Sequence, residues 1–141
     1  MRLAERRPIS RWSSVPDAVL DASALIALLW DEPGAQAVER LLGRAVVSVV
    51  NWTEVLQRFR AHGVETADKR ESVEGLGIGI MSFTLEDAET AAELWEPTRA
   101  AGLSLADRAC LALARRLDLP AHTADRDWRK VDVGVEVVLI R

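Results

Sequence analysis

The sequence predicts an α/β fold built on a parallel sheet, and three observations carry that prediction. From Asp17 onward, short β-rich apolar runs alternate with stretches of helical period, the pattern of successive βα units. Five of those runs read as strands. The chain's 141 residues suit one domain and suffice to bury a core without disulfide or metal staples, and its 49% apolar and 28% charged content is that of an ordinary globular protein.

Residues 1–16, MRLAERRPISRWSSVP, show no sustained period and end in Ser-Ser-Val-Pro. They read as a flexible or loosely docked basic extension ahead of a globular part spanning 17–141. AVL (18–20) is the first strand, and the apolar segment after Asp21 a buried helix. A short helix is expected over 35–42, then a buried strand AVVSVV (45–50). Trp52, Val55, Leu56 and Phe59 recur at i, i+3, i+4 and i+7, one apolar helical face. Another short helix is expected over 65–74. GLGIG (75–79) resembles a phosphate-binding loop, but it precedes a strand instead of joining a strand to a helix, so it reads as a helix stop and turn. IGIMSFT (78–84) is the third strand. Leu85, Ala88, Ala92 and Trp95 mark one helix, and Ala106, Ala109, Cys110, Leu113 and Leu117 another. PAHTA (120–124) and VEVVLI (135–140) complete the strands.

Composition excludes several classes. The apolar run Ala22–Trp30 is far shorter than the roughly 20 residues of a membrane span. The N-terminal arginines precede no apolar stretch, which argues against a secretory signal. The single Cys110 has no internal partner and reads as a small core residue in a reducing compartment, so a cytoplasmic location is expected. Residues 1–16 carry Arg2, Arg6, Arg7 and Arg11 against Glu5, a net of +3, so with a total of −4 the rest carries −7. An acidic body argues against tight nonspecific nucleic-acid binding and suits carboxylates gathered around a cation.

Four carboxylates hold equivalent places in this layout. Asp21 follows the first strand and Asp125 the fourth; Glu54 and Asp107 are expected in the first turns of the helices opening near 51 and 104. Right-handed βαβ connections set helix starts at the carboxyl edge of the sheet, where α/β folds bind ligands. All four acids therefore map to one edge. Each also has a purely structural role open to it. NWTE (51–54) and SLAD (104–107) resemble capping boxes, Asp21 suits an N-cap, Asp125 suits a turn, and Glu54 stands four residues before Arg58.

Carboxylates brought together repel and must protonate or bind a cation. Oxygen-only donors suit Mg²⁺ or Mn²⁺ better than zinc. His62, near a helix end, and His122, inside a strand, read as surface and core residues respectively. No convincing Ser-His-Asp or Cys-His arrangement is evident, which agrees with chemistry that needs no nucleophilic side chain.

VLDASALIALLWDEPG, SVVNWTEVLQRF, GLSLADRACLALARRLDLPAHTADRDW and the terminal VEVVLI, taken in order, resemble the PIN-domain nucleases, and among them the VapC-type toxins of toxin–antitoxin pairs. The resemblance covers residues 17–141. It implies a three-layer α/β/α domain with a mostly parallel five-stranded sheet, usually in a homodimer. It also implies Mg²⁺- or Mn²⁺-dependent endoribonuclease activity and a cognate antitoxin partner. The family's acidic quartet carries over to Asp21, Glu54, Asp107 and Asp125, with Asp21 and Asp107 the first choices as direct ligands. Asp127, Ser23 and Thr123 match supporting positions. Twenty residues precede Asp21, more than such toxins usually have, so the basic extension departs from the pattern.

Two rival readings remain at this stage. One is a non-catalytic PIN-like module that binds RNA or a regulator. The other is an aspartyl-phosphate phosphotransferase, which commonly uses an Asp-x-Asp that LDAS lacks and a late lysine; the only lysines are Lys69 and Lys130. Arg58, Arg108, Arg126 and Arg129 are the candidates for guiding RNA to an otherwise acidic surface.

Overall fold

Ala18–Leu20 form β1, buried on both faces, as the central strand of a parallel sheet must be; this is why the triplet is wholly apolar. A computed structural model describes residues 15–141. On one side of β1 lie β2 (Ala45–Ser48) and β3 (Ile78–Met81), and on the other β4 (Ala121–Thr123) and β5 (Val137–Leu139). The order is β3-β2-β1-β4-β5 and every pairing is parallel. The predicted α/β class and five strands are those observed. All of the predicted extension except Val15 and Pro16 lies outside the described residues.

Strand residues alternate between two cores, as the pleat requires. Leu20, Ala45, Val47 and Ile78 face a layer made by α1 (Ala22–Leu29), α2 (Ala35–Glu39), α3 (Val49–Ala61) and α4 (Lys69–Gly75). Val19, Val46 and Ala121 face a second layer. That layer holds α5 (Leu85–Glu93), α6 (Trp95–Arg99), α7 (Leu105–Leu117) and a 3₁₀ turn (Arg126–Lys130) whose Trp128 is fully buried. Each fully buried side chain of the size of Leu25 or Leu111 contributes about 1.5–3 kcal/mol of burial free energy. No described helix is long and apolar enough to cross a membrane.

Chain order positions the site. The chain runs outward from β1 to β2 and β3, then crosses back to β4 on the opposite side of β1. The carboxyl ends of β1 and β4 thus flank a topological switch point, where an α/β sheet opens a crevice.

Several boundaries differ from expectation. The apolar run 45–50 ends as a strand at Ser48, whose hydroxyl accepts the Val50 N–H and caps α3, so the helix starts at Val49. Glu54 therefore stands in the second turn, not the first, and Asn51 is not an N-cap. The third strand ends at Met81, and the expected helix from 85 to 95 divides at Leu94, leaving Trp95 exposed. GLGIG is a helix stop: Gly75 ends α4, and Gly77 takes a positive φ of 78° before β3. Gly34 caps α2 at φ 97°, and a Cβ there would lie 2.8 Å from both the side chain and the carbonyl of Ile140.

Candidate functional site

Asp21 ends β1 and caps α1. Its extended backbone (φ −83°, ψ 178°) turns the chain into the helix, and its Oδ1 accepts the Ala24 N–H at 2.9 Å. The side chain is only 4% exposed. Two hydroxyls complete its surroundings. Ser23 donates to Oδ1 at 2.7 Å and Thr123 donates to Oδ2 at 2.6 Å. Each hydroxyl also accepts a backbone N–H from the β4 end: Ser23 from Ala124 at 2.9 Å, Thr123 from Asp125 at 3.0 Å. Ser23 and Thr123 thereby tie the end of β1 to the end of β4 through the Asp21 carboxylate.

Asp107 sits at the third position of α7 in a complete capping box. The Ser104 hydroxyl accepts the Asp107 N–H at 3.1 Å, and Asp107 Oδ2 accepts the Ser104 N–H at 2.8 Å. Glu54 projects from the second turn of α3, and its Oε1 accepts from Asn51 Nδ2 at 3.4 Å. Asp125 is exposed and caps the 3₁₀ turn, its Oδ1 accepting the Asp127 N–H at 2.9 Å. The structural roles open to Asp21, Asp107 and Asp125 are therefore all realised; neither of those open to Glu54 is, since Ser48 caps α3 in place of Asn51 and no ion pair joins Glu54 to Arg58 among the described residues.

These acids are electrostatically joined. Burial pushes the Asp21 carboxyl up to about 6; its three hydrogen bonds oppose the rise and the nearby Asp107 charge adds to it. Glu54 is raised by burial and by Asp107, against the pull of its Asn51 bond. Asp107 is raised by burial and by Asp125, against its Ser104 bonds and Arg108. None of the four forms an ion pair among the described residues.

The donor chemistry fits a hard divalent cation: carboxylate and hydroxyl oxygens, with burial and mutual repulsion opposing their ionised state, a strain that a cation relieves. The cage is not closed, however. Among the described residues no three His, Cys, Asp or Glu side chains converge into a group able to hold a metal ion as they stand. Helix capping holds Asp21, Asp107 and Asp125 each to its own element.

Other candidates are placed differently. Asp127 is exposed and turns to Lys130, with Nζ 2.8 Å from Oδ1. Arg108 is drawn inward, donating to the Ala91 carbonyl at 2.7 Å, whereas Arg126 and Arg129 are exposed on the turn after Asp125. Arg58 lies in the last turn of α3, 5.9 Å from the Trp30 ring. Cys110 is fully buried, and burial and the charges of Asp21, Asp107 and Glu54 hold its thiol protonated. The sequence marks Asn51 only as a possible cap; in the structure it is fully buried beside Glu54.

The PIN-domain family model matches residues 18–134. The chain belongs to the PIN-domain family. Solved structures similar to this PIN domain include a toxin–antitoxin complex from Klebsiella pneumoniae, at TM-score 0.70 and 24% identity over 89% of this chain and 98% of that one. A DNA-bound VapBC from Salmonella typhimurium matches at TM-score 0.65 and 14% identity, over 90% of this chain and 100% of the other. A sarcin–ricin-loop-cleaving VapC toxin from Mycobacterium tuberculosis matches at 0.61 and 15%, over 85% and 99%. At these identities the likeness shows that the whole PIN fold is shared. No curated protein sequence matches the chain.

Proposed function

We propose that this PIN domain is a metal-dependent endoribonuclease, the toxin of a VapBC-type toxin–antitoxin pair. One observation carries the reading: at the carboxyl edge of the sheet beside its switch point, Asp21, Glu54 and Asp107 have carboxyls raised by burial, Asp107 and its neighbouring acids repel, and none of the three forms an ion pair among the described residues. Such an arrangement costs stability and makes sense where a cation and a phosphate are to be held.

Asp21, Asp107, Glu54 and Asp125 would hold Mg²⁺ or Mn²⁺, Asp21 and Asp107 most directly. A bound divalent cation supplies polarisation of a phosphoryl oxygen and activation of water for attack on the phosphodiester. Thr123 and Ser23 orient the Asp21 oxygens by donating to both of them, and leave the carboxylate no freedom to rotate. Arg126 and Arg129 face solvent beside Asp125, where they meet an RNA backbone. Asp127, committed to Lys130, holds that cationic turn in place. Residues 17–141 form the nuclease domain and 1–16 a basic extension to it. The partners are RNA, a cognate antitoxin and a second copy of the chain, and the action is cytoplasmic; the toxin–antitoxin complexes among the similar structures support the antitoxin partner.

The test is cleavage of total RNA by the purified protein with Mg²⁺ or Mn²⁺. Asp21→Asn and Asp107→Asn are each expected to lose about 100-fold or more, the scale on which removing one preorganised polar group is felt, while keeping the native circular dichroism spectrum. Undiminished cleavage by either variant overturns the mechanism. RNA binding without cleavage by the unmodified protein would instead establish a binding module.

A further inference from the structure

Among the described residues, Asn51 is the one whose side chain hydrogen-bonds within α3 and across to α7, the helices bearing Glu54 and Asp107. It is fully buried at the third position of α3. Its Nδ2 donates to the Ala106 carbonyl at 3.0 Å and to Glu54 Oε1 at 3.4 Å. Ala106 directly precedes Asp107 in the first turn of α7. A single amide nitrogen thus links the helical layer on one face of the sheet to the layer on the other, above the carboxyl edge.

The amide has one workable orientation. Both neighbours are acceptors, so turning the side chain over would set Oδ1 against two oxygens. In the observed orientation Oδ1 is buried and has no partner. A buried acceptor left unpaired is destabilising, and an apolar side chain would avoid that cost. Retaining asparagine here is therefore unexplained by packing, while its two donated bonds both lead to the acidic site. Glu54 depends on it in particular. Asp21 has three hydrogen bonds and Asp107 its capping box, but among the described residues Glu54 is restrained by Asn51 alone.

We propose that Asn51 is a positioning residue that, anchored on the Ala106 carbonyl in the first turn of α7, holds the Glu54 carboxylate on the side of Asp107, so that Glu54 faces the cation that Asp107 faces. This inference rests on the metal-dependent reading of the site. It gives the chain a support residue beneath the acids, acting through Glu54 and touching neither cation nor RNA.

The experiment is Mn²⁺ titration followed by electron paramagnetic resonance, without RNA, on the full chain and on Asn51→Ala, Glu54→Gln and the double variant. Asn51→Ala is expected to weaken Mn²⁺ binding about 10-fold, the effect of losing a hydrogen bond to a metal-binding carboxylate. Because the residue acts through Glu54, the double variant binds no more weakly than Glu54→Gln. Unchanged affinity in Asn51→Ala, or losses that multiply in the double variant, overturns the proposal while leaving the nuclease reading intact. Absence of Mn²⁺ binding by the unmodified chain overturns both. If Asn51→Ala fails to fold, ¹⁵N NMR of the unmodified chain decides: the Asn51 side-chain amide must exchange slowly and shift on Mg²⁺ addition, and an unmoved signal rejects the role.

Discussion

The Asp21 carboxylate serves the fold and the candidate site at once. Oδ1 caps α1 and Oδ2 takes the Thr123 hydroxyl, so the group is fully hydrogen-bonded yet raised to about 6 by burial. The sign of its effect on stability follows. An aspartate whose folded-state value lies above its unfolded value of 3.8 favours the native state below that range, and the benefit is lost as pH rises through about 6. At neutral pH without divalent cation, the ionised Asp21 therefore weighs against folding, by about 3 kcal/mol. Asp21→Asn keeps an oxygen for the Ala24 N–H while removing the charge. It is expected to raise the melting temperature at pH 7–8 in EDTA, and the gain should vanish near pH 4. A variant that melts lower than the parent at both pH values contradicts this account.

Helices α5 and α7 open with the same local device. Thr84-Leu85-Glu86-Asp87 and Ser104-Leu105-Ala106-Asp107 both form complete capping boxes, each worth about 1 kcal/mol through its N-cap. Their aspartates then part company. Asp87 is buried against Arg116, with Nε 2.7 Å from Oδ1 and Nη2 3.1 Å from Oδ2, and this guanidinium and the Thr84 bonds hold its carboxyl below the usual range despite the burial. The bonds Arg116–Asp87 and Arg108–Ala91 show that α5 and α7 run antiparallel, which carries Arg116 to the first turn of α5. Asp107 has no such partner among the described residues and is raised. Arg116→Met is expected to destabilise by about 3 kcal/mol, since it strands a buried carboxylate. Asp107→Asn is expected to be neutral or stabilising. The Asp87 contribution is present above the ordinary aspartate range and fades as pH falls through its lowered value, so the penalty of Arg116→Met shrinks in acid. Urea unfolding of both variants at pH 7 and pH 3.5 checks the two signs together.

Across the whole molecule, acids distant in sequence come to one edge of the sheet because the chain doubles back over β1. The order β3-β2-β1-β4-β5 sets the ends of β1 and β4 side by side, and α3 and α7 approach from opposite layers. Mutual repulsion at this edge is a standing cost that a cation bound only by the native state would offset. Millimolar Mg²⁺ is therefore expected to raise the melting temperature by several degrees, and Asp21→Asn or Asp107→Asn should abolish that response. An unchanged midpoint in the unmodified protein would count against a cation site. Calorimetry with and without EDTA supplies the measurement.

Much of this was legible in the residues. Unbroken apolar runs such as Ala18–Leu20 mark strands because burial on both faces leaves no place for a polar residue, and 3.6-residue periods mark the long helices because only one face of each is buried. The placement of Asp21, Glu54, Asp107 and Asp125 at one edge followed from the handedness of βα connections alone. Local signals were weaker where two structures compete for one segment. Val49 and Val50 have strand propensity, yet the Ser48 cap recruits them into α3 and so moves Glu54 by a turn. Asn51 carried no sequence signal beyond that of a possible cap. By itself, then, the sequence determined the fold class, the capping chemistry and the edge to which the acids belong, since these depend on nearest neighbours and chain handedness. Only the tertiary structure decided which aspartate meets a cationic partner and which remains uncompensated. Arg116 reaches Asp87 across 29 positions, and Thr123 reaches Asp21 across 102. Electrostatic environment is set by what packs alongside in space, and no local pattern encodes it.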